Sequence, residues 1–86
     1  MIFKRTERFK RAYKKLDPEQ QSNIKKAILL LESNINHPSL RVKRIQGTTN
    51  IWESSASMSL RITFTRNNEA IILRNCGKHD RTLKKP

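Results

Sequence analysis

The sequence predicts an α+β fold with a short N-terminal strand (Ile2–Arg5), an antiparallel two-helix hairpin, and then an antiparallel sheet of about four strands. Two observations predict it. Apolar residues recur at helical spacing in the first half of the chain, whereas in the second half they alternate with polar residues. Because 86 residues leave room for one hydrophobic core, we expect a single domain over residues 1–86.

Two helix starts are marked in the first half of the chain. Thr6 is a suitable cap for the first helix, because its hydroxyl can accept a hydrogen bond from a free backbone amide. Asp17 caps the second helix, Pro18 needs no amide donor there, and Gln20 completes a capping box. We expect the second helix to end at His37–Pro38, since the residue before proline avoids the helical conformation. The apolar stripes are Phe9, Ala12, Tyr13 and Leu16, then Ile24, Ala27, Ile28, Leu31 and Ile35.

The second half has the pattern of a sheet. Apolar and polar residues alternate from 58 to 65, so one face of this strand should meet the helices and the other should present Arg61. Residues 70–73 are apolar on both faces, which is typical of a central strand. Gly77 is predicted to end that strand and to leave a basic tail over 78–86. The predicted strands of this half are 41–46, 51–55, 58–65 and the strand that begins at 70.

The charge balance indicates a polyanionic partner. Nineteen Lys and Arg oppose seven Asp and Glu, which gives a net charge of +12. Solubility alone requires a net charge of only about 2–8 in a small domain. A field of this sign attracts nucleic acid or an acidic protein. A chain of this size holds a deep pocket with difficulty, so we expect a surface patch or shallow groove, and no cofactor.

Metal, disulfide and membrane functions are not indicated. The single cysteine, Cys76, cannot form an internal disulfide, and no Cys or His spacing suits zinc. We interpret Cys76 as a small apolar strand residue. The longest apolar run, 27–31, is too short for a signal peptide or a membrane span. We therefore expect a cytoplasmic protein with no membrane partner.

Five short motifs follow one another in a fixed order on this small basic chain: His37–Leu40, Gly47, Trp52–Glu53, Leu60–Ile62 and Gly77–Asp80. Together they resemble the RelE/ParE toxin superfamily, from about Phe3 to Asp80. None of the five is specific alone; their order and intervals carry the resemblance. It implies a bacterial toxin encoded beside an antitoxin. The RelE-like branch of that family cuts messenger RNA, usually at the ribosome, and the ParE-like branch poisons DNA gyrase.

The resemblance implies roles for two residues in metal-free RNA cleavage. Arg61 matches the arginine that holds the scissile phosphate, and its planar, permanently charged guanidinium suits phosphate oxygens. His79 matches a histidine that protonates the leaving oxygen, since imidazole exchanges protons near neutral pH. Glu53 and Asp80 are candidates for a base or for an orienter of His79. A carboxylate among so many cations binds a proton weakly, which makes it a weak base candidate.

Further residues are predicted to contact RNA, and structural interpretations stand beside the functional ones. Arg61 is otherwise a solvated strand residue or a partner of Glu69, and His79 is otherwise a turn histidine capped by Asp80. Trp52 is either a sheet anchor or a stacking platform for a base. His37, before a proline, is interpreted as structural. The predicted RNA contacts are Lys43, Arg44, Trp52, Arg74, Lys78, Arg81 and Lys84.

The sequence departs from the family pattern, which leaves two functions open. Ser55 stands where many relatives carry an arginine, and Leu83 where many carry a tyrosine; lysines that some members carry in the Trp52 strand are also missing. Lys43 and Lys84 are candidate substitutes. The first function is an endoribonuclease acting on mRNA at the ribosome, favoured by Arg61 with His79. The second is a non-catalytic toxin that inhibits DNA gyrase or only binds its antitoxin. An acidic antitoxin protein is the expected partner in either case.

Overall fold

The structure is a computed structural model that describes residues 2–86. Five strands, three α-helices and one 3-10 helix form this part of the chain. The predicted α+β class is confirmed, and so is the order of one strand, two helices and a sheet. None of the described helices has the length and apolar character that crossing a bilayer requires. In chain order the elements are β1 (Ile2–Arg5), α1 (Glu7–Lys14), α2 (Pro18–Ser33), a 3-10 helix (Pro38–Leu40), β2 (Lys43–Arg44), β3 (Trp52–Ser55), β4 (Leu60–Arg66), β5 (Ala70–Lys78) and α3 (His79–Lys84).

The sheet has the strand order β1-β5-β4-β3-β2. β1 pairs with β5 in parallel, and the other neighbouring strands are antiparallel. β5 therefore has a partner on both edges, as its apolar sequence predicted. The predicted end of β5 at Gly77 is wrong, because Gly77 pairs with Arg61 and Lys78 pairs with Leu60. Gly77 has a φ of 148°, so the ladder continues through a conformation that favours glycine.

Local capping defines where the first two helices begin. The Thr6 hydroxyl accepts from the Phe9 amide at 3.0 Å and donates to the Leu73 carbonyl of β5 at 3.0 Å. Asp17 and Gln20 form the predicted capping box, with backbone-to-side-chain distances of 2.8 and 3.1 Å. These local hydrogen bonds explain why both starts were predictable from the sequence.

The end of α2 lies earlier than predicted. The helix ends at Ser33, because the Asn34 side chain accepts from the Asn36 amide at 3.2 Å and so competes with helix continuation. His37 begins the 3-10 helix instead, where its Nδ1 accepts from the Ser39 amide at 3.2 Å. The structural interpretation of His37 is therefore confirmed.

Helices α1 and α2 pack on one face of the sheet. β4 contributes Leu60, Ile62 and Phe64, each at most 1% exposed, to a core that includes Phe9 and Ile24. Burial of these side chains is the main stabilising contribution to the fold. The predicted strand start at residue 58 is wrong, because Met58 lies in the turn before β4 and is 97% exposed.

The predicted basic tail is also wrong: α3 and the residues after it pack on the sheet face opposite α1 and α2. The Pro86 carbonyl accepts from the Thr63 hydroxyl at 2.9 Å and from Arg74 Nε at 3.2 Å. Thr82 of α3 is buried, and a β-carbon on Gly77 would lie 3.1 Å from its hydroxyl oxygen. The glycine thus permits the close approach of α3 to β5.

Cys76 faces the core, opposite Ile62 on β4. Burial raises the pKa of the Cys76 thiol to about 12, so the thiol stays protonated and unreactive at neutral pH. The interpretation of Cys76 as a small apolar strand residue is confirmed.

We expect the Cys76 thiol to resist thiol reagents at pH 8 in the folded protein and to react once urea unfolds the chain. The pKa of the folded state, about 12, lies above the ordinary value of 9.0. The contribution of the protonated thiol to stability is therefore complete below pH 9 and is lost as the pH rises towards 12. Urea unfolding of the parent and of the Cys76→Ala control at several pH values measures this loss of stability. An equal loss of stability in both proteins between pH 9 and 11 would contradict the expectation.

Candidate functional site

Arg61 and Glu53 form an ion pair across neighbouring strands. The register pairs Arg61 with Ser55 and Glu53 with Thr63, so Arg61 and Glu53 are diagonal neighbours on one face of the sheet. Arg61 Nε lies 3.9 Å from Glu53 Oε1, and the two side chains are only 13% and 11% exposed. The ionic partner of Arg61 is therefore Glu53 and not Glu69.

The Arg61 guanidinium also holds the turn between β3 and β4. Its Nη1 donates to the carbonyls of Ser57, Met58 and Leu60 at 2.9, 3.2 and 2.9 Å. The other terminal nitrogen, Nη2, forms no hydrogen bond with any residue from 2 to 86. Arg61 is thus a fixed cation whose Nη2 donors have no partner among residues 2–86.

His79 lies at the same end of the sheet as Arg61. Its backbone amide donates to the Ser59 carbonyl at 2.8 Å, which extends the pairing of β5 with β4 by one step beyond Lys78. His79 Nδ1 lies 2.9 Å from Asp80 Oδ1, and the side chains of His79 and Asp80 are 48% and 95% exposed. Because Asp80 occupies Nδ1, the nitrogen open to a substrate is Nε2.

The four catalytic candidates therefore form two pairs at one end of β3, β4 and β5. Glu53 contacts Arg61, and Asp80 contacts His79. The carboxylate that orients the imidazole is Asp80, whereas Glu53 orients the guanidinium. In many catalytic sites a neighbouring carboxylate orients the cation or the proton donor.

Trp52 lies on the opposite face of the sheet. Strand alternation directs Trp52 away from the side of Glu53, and its ring packs against the hydrophobic core. Arg66 covers the ring, with 4.9 Å between its guanidinium carbon and the ring centroid. The indole nitrogen donates to Asn50 Oδ1 at 3.1 Å. Trp52 is thus held as a sheet anchor and is not brought to the Arg61 site.

The predicted cationic contacts fall into two groups. Arg44 and Arg74 are tied to backbone carbonyls, Arg44 to Thr48 at 2.8 Å and Arg74 to Pro86. The others have exposed side chains at β2, at the end of β5 and on α3. These are Lys43, Lys78, Arg81 and Lys84.

A groove that sequence reasoning did not locate lies beside Arg61. It has a volume of about 710 Å³ and lies between α2, the 3-10 helix and the β3–β4 turn. Lys26 and Arg41 line it together with Arg61. For Arg41, the only sequence signal of a role in the groove is its position directly after the His37–Leu40 motif, and this signal is weak. For Lys26 there is no such signal, because no local pattern distinguishes it from the adjacent Lys25. Within residues 2–86, no cluster of three His, Cys, Asp or Glu side chains could hold a metal ion.

Comparison with known proteins identifies the fold. No protein-family model and no curated protein sequence matches the chain. Among solved structures, YafQ from E. coli strain BL21(DE3) has a TM-score of 0.80 at 9% identity, covering 93% of this chain and 94% of YafQ. The E. coli DinJ-YafQ toxin-antitoxin complex gives 0.77 at 11%, with 92% of each chain covered. The intact E. coli RelBE toxin-antitoxin complex gives 0.69 at 15%, covering 91% and 95%. This chain therefore has the fold of these toxins, which is the fold that its motifs predicted.

We expect Arg61 and Glu53 to be energetically coupled. Their contact and the shared turn predict a coupling energy of about 0.5–3 kcal/mol in a double-mutant cycle of Arg61→Ala with Glu53→Gln. Urea unfolding of the four proteins measures it. Glu69→Gln in place of Glu53→Gln is the control, and its effect should add to that of Arg61→Ala within about 0.3–0.5 kcal/mol. Coupling to Glu69 and none to Glu53 would contradict the site geometry.

Proposed function

We propose that this chain is the toxin of a toxin–antitoxin pair and that it cleaves messenger RNA at the ribosome without a metal ion. The observation that carries the proposal is the location of Arg61 and His79 at one end of β4 and β5. The fold is that of RelE-type toxins, and both residues occupy positions that the motif resemblance associates with RNA cleavage.

Arg61 is suited to the scissile phosphate. The ion pair with Glu53 and three turn carbonyls fix its guanidinium, while Nη2 remains open. Negative charge grows on the phosphate oxygens as the 2′-oxygen attacks phosphorus and loses its proton to solvent. A cation that is already in position stabilises that charge without reorganisation during the reaction.

His79 is suited to the leaving group. When the bond between phosphorus and the 5′-oxygen breaks, that oxygen needs a proton, which imidazolium can donate from Nε2. The Asp80 carboxylate lies 2.9 Å from Nδ1 and fixes the orientation of the ring. This arrangement requires no metal, because Arg61 supplies the charge and His79 the proton.

The partner that silences the toxin is proposed to be an acidic antitoxin. The net charge of +12 favours rapid association with an acidic chain. Two of the structures that share the fold are toxin-antitoxin complexes, DinJ-YafQ and RelBE.

Three features favour the second candidate, a non-catalytic toxin that inhibits DNA gyrase or only binds its antitoxin. Ser55, opposite Arg61 on β3, supplies no charge where many relatives carry an arginine, and Leu83 of α3 supplies no hydroxyl. Arg61 itself is largely buried and holds the turn. These features are compatible with a structural role for Arg61.

We expect expression of the chain alone to arrest bacterial growth and to shorten mRNA within coding regions, while DNA supercoiling stays unchanged. Primer extension on a reporter mRNA, run beside a plasmid supercoiling assay, separates the two candidate functions. Intact mRNA together with relaxed or cleaved plasmid DNA would support gyrase inhibition and contradict RNA cleavage.

We expect His79→Gln to lose cleavage and to retain binding. Glutamine keeps a hydrogen-bond donor but cannot supply a proton at neutral pH, so single-turnover cleavage should fall by about a hundredfold to ten-thousandfold. Affinity for ribosomes should change little, because the overall field is unaffected. His37→Gln is the matched control and should cleave at the parental rate, since His37 only begins the 3-10 helix. Cleavage by His79→Gln within about threefold of the parent would rule out the general-acid role.

A further inference from the structure

Three separate segments converge on the groove beside Arg61. Helix α2 contributes Lys26, Ala27 and Leu30. The 3-10 helix contributes Pro38–Leu40, followed by Arg41. The end of β3 and the following turn contribute 55–58. A volume of about 710 Å³ is within the range of pockets that bind small molecules.

The charged residues of the groove have one sign. Lys26, Arg41 and Arg61 line it, and none of the other lining residues is Asp or Glu. Lys26 and Arg41 have exposed side chains, so neither is committed to the core. A concave surface with cations of one sign concentrates the electrostatic field and attracts an anionic ligand.

The remaining lining is largely apolar. Ala27 and Leu40 are buried at the base of the groove, and Met58 lies at its rim with a side chain that is 97% exposed. A flexible, polarisable thioether adapts to flat apolar groups. The groove therefore offers cations for phosphates and an apolar surface for a base.

Arg41 adopts a backbone conformation that arginine rarely takes. Its φ and ψ are both 47°, in the left-handed region where a β-carbon is unfavourable and glycine or asparagine is preferred. Its amide donates to the Pro38 carbonyl at 3.2 Å, a bond that any residue with an amide hydrogen could make. A long cationic side chain at a position that suits glycine, at the edge of a cationic groove, indicates a role for the side chain.

We propose that this groove binds the RNA strand next to the scissile phosphate, with Lys26 and Arg41 each contacting a flanking phosphate. The inference rests on the proposed function, because Arg61 belongs to both the groove and the cleavage site. It assigns to Lys26 and Arg41 the positive charge that Ser55 does not supply. They are positioning residues for the substrate.

RNA is favoured over an acidic peptide as the occupant. The groove is continuous with Arg61, and a single strand that passes Arg61 carries a phosphate at every nucleotide. Three cations that line one groove can contact successive phosphates of such a strand. The guanidinium of Arg41 can also pair with phosphate through two parallel hydrogen bonds.

The test measures binding of a short 2′-O-methylated RNA oligonucleotide, which has no free 2′-hydroxyl and so is not cleaved. Affinity is measured over a series of salt concentrations for the parent, Lys26→Ala and Arg41→Gly. Loss of one phosphate contact should lower the slope of log affinity against log salt by about 0.7 for single strands. Lys25→Ala is the control for Lys26→Ala, because Lys25 precedes it on α2 and does not line the groove; its slope should equal that of the parent. Arg41→Lys keeps the charge and should retain most of the slope.

Thermal unfolding separates a binding defect from a folding defect. Glycine tolerates the backbone conformation at position 41, so Arg41→Gly should not lower the melting temperature. Reduced RNA affinity at an unchanged or higher melting temperature would support the inference.

Several outcomes would overturn it. Lys26→Ala and Lys25→Ala with equal slopes, or Arg41→Gly with the parental slope, would show that the groove does not contact RNA. A parent that binds a glutamate- and leucine-rich peptide but not the oligonucleotide would also overturn the inference. If Arg41→Gly then lost peptide binding, the groove would be a protein-docking site. A parent that binds RNA through Lys26 and Arg41 yet leaves cellular mRNA intact would overturn the cleavage proposal and support this one.

Discussion

The antiparallel pairing of β4 with β5 is the contact on which the helices, the candidate site and α3 all depend. It extends from Leu60–Lys78 to Arg66–Ile71, with an irregularity between Thr63 and Phe64. A shift of this register by one residue would turn the apolar side chains of β4 away from the helices. It would also move Arg61 from the face of Glu53 to the core face. One hydrogen-bonding register therefore specifies both the hydrophobic core and the chemistry.

Arg61 illustrates how stability and function are linked at this site. Burying a guanidinium is unfavourable unless its charge and its donors find partners. Three turn carbonyls accept from Arg61 Nη1, and Glu53 places an opposite charge 3.9 Å from Nε. The same contacts remove most of the conformational freedom of the side chain. A cation held in this way interacts strongly with an incoming anion because little solvent screens it. The structural role of Arg61 is therefore compatible with the proposed role in holding phosphate.

The parts of the fold that were predicted correctly are mostly those that local sequence signals determine. Caps such as Thr6 and Asp17 act within one helical turn, and the alternation along β4 is a property of adjacent residues. Elements that depend on distant contacts were mispredicted. The continuation of β5 through Gly77, and the packing of α3, require a partner strand and the approach of Thr82, neither of which leaves a local pattern. At the site, motif order indicated Arg61 and His79, whereas Lys26 and Arg41 reach the groove only through tertiary folding.

The central position of β5 has a consequence for the order in which the molecule can form. β5 is the last of the strands in sequence, yet both β1 and β4 pair with it. During synthesis β1 emerges first and has no partner until residues 70–78 have been made. Contacts between such distant segments form late, because closing a long loop costs chain entropy before any pairing compensates it. A chain still being translated therefore has no complete sheet until β5 has been made, and Arg61 and His79 cannot be held together before that point.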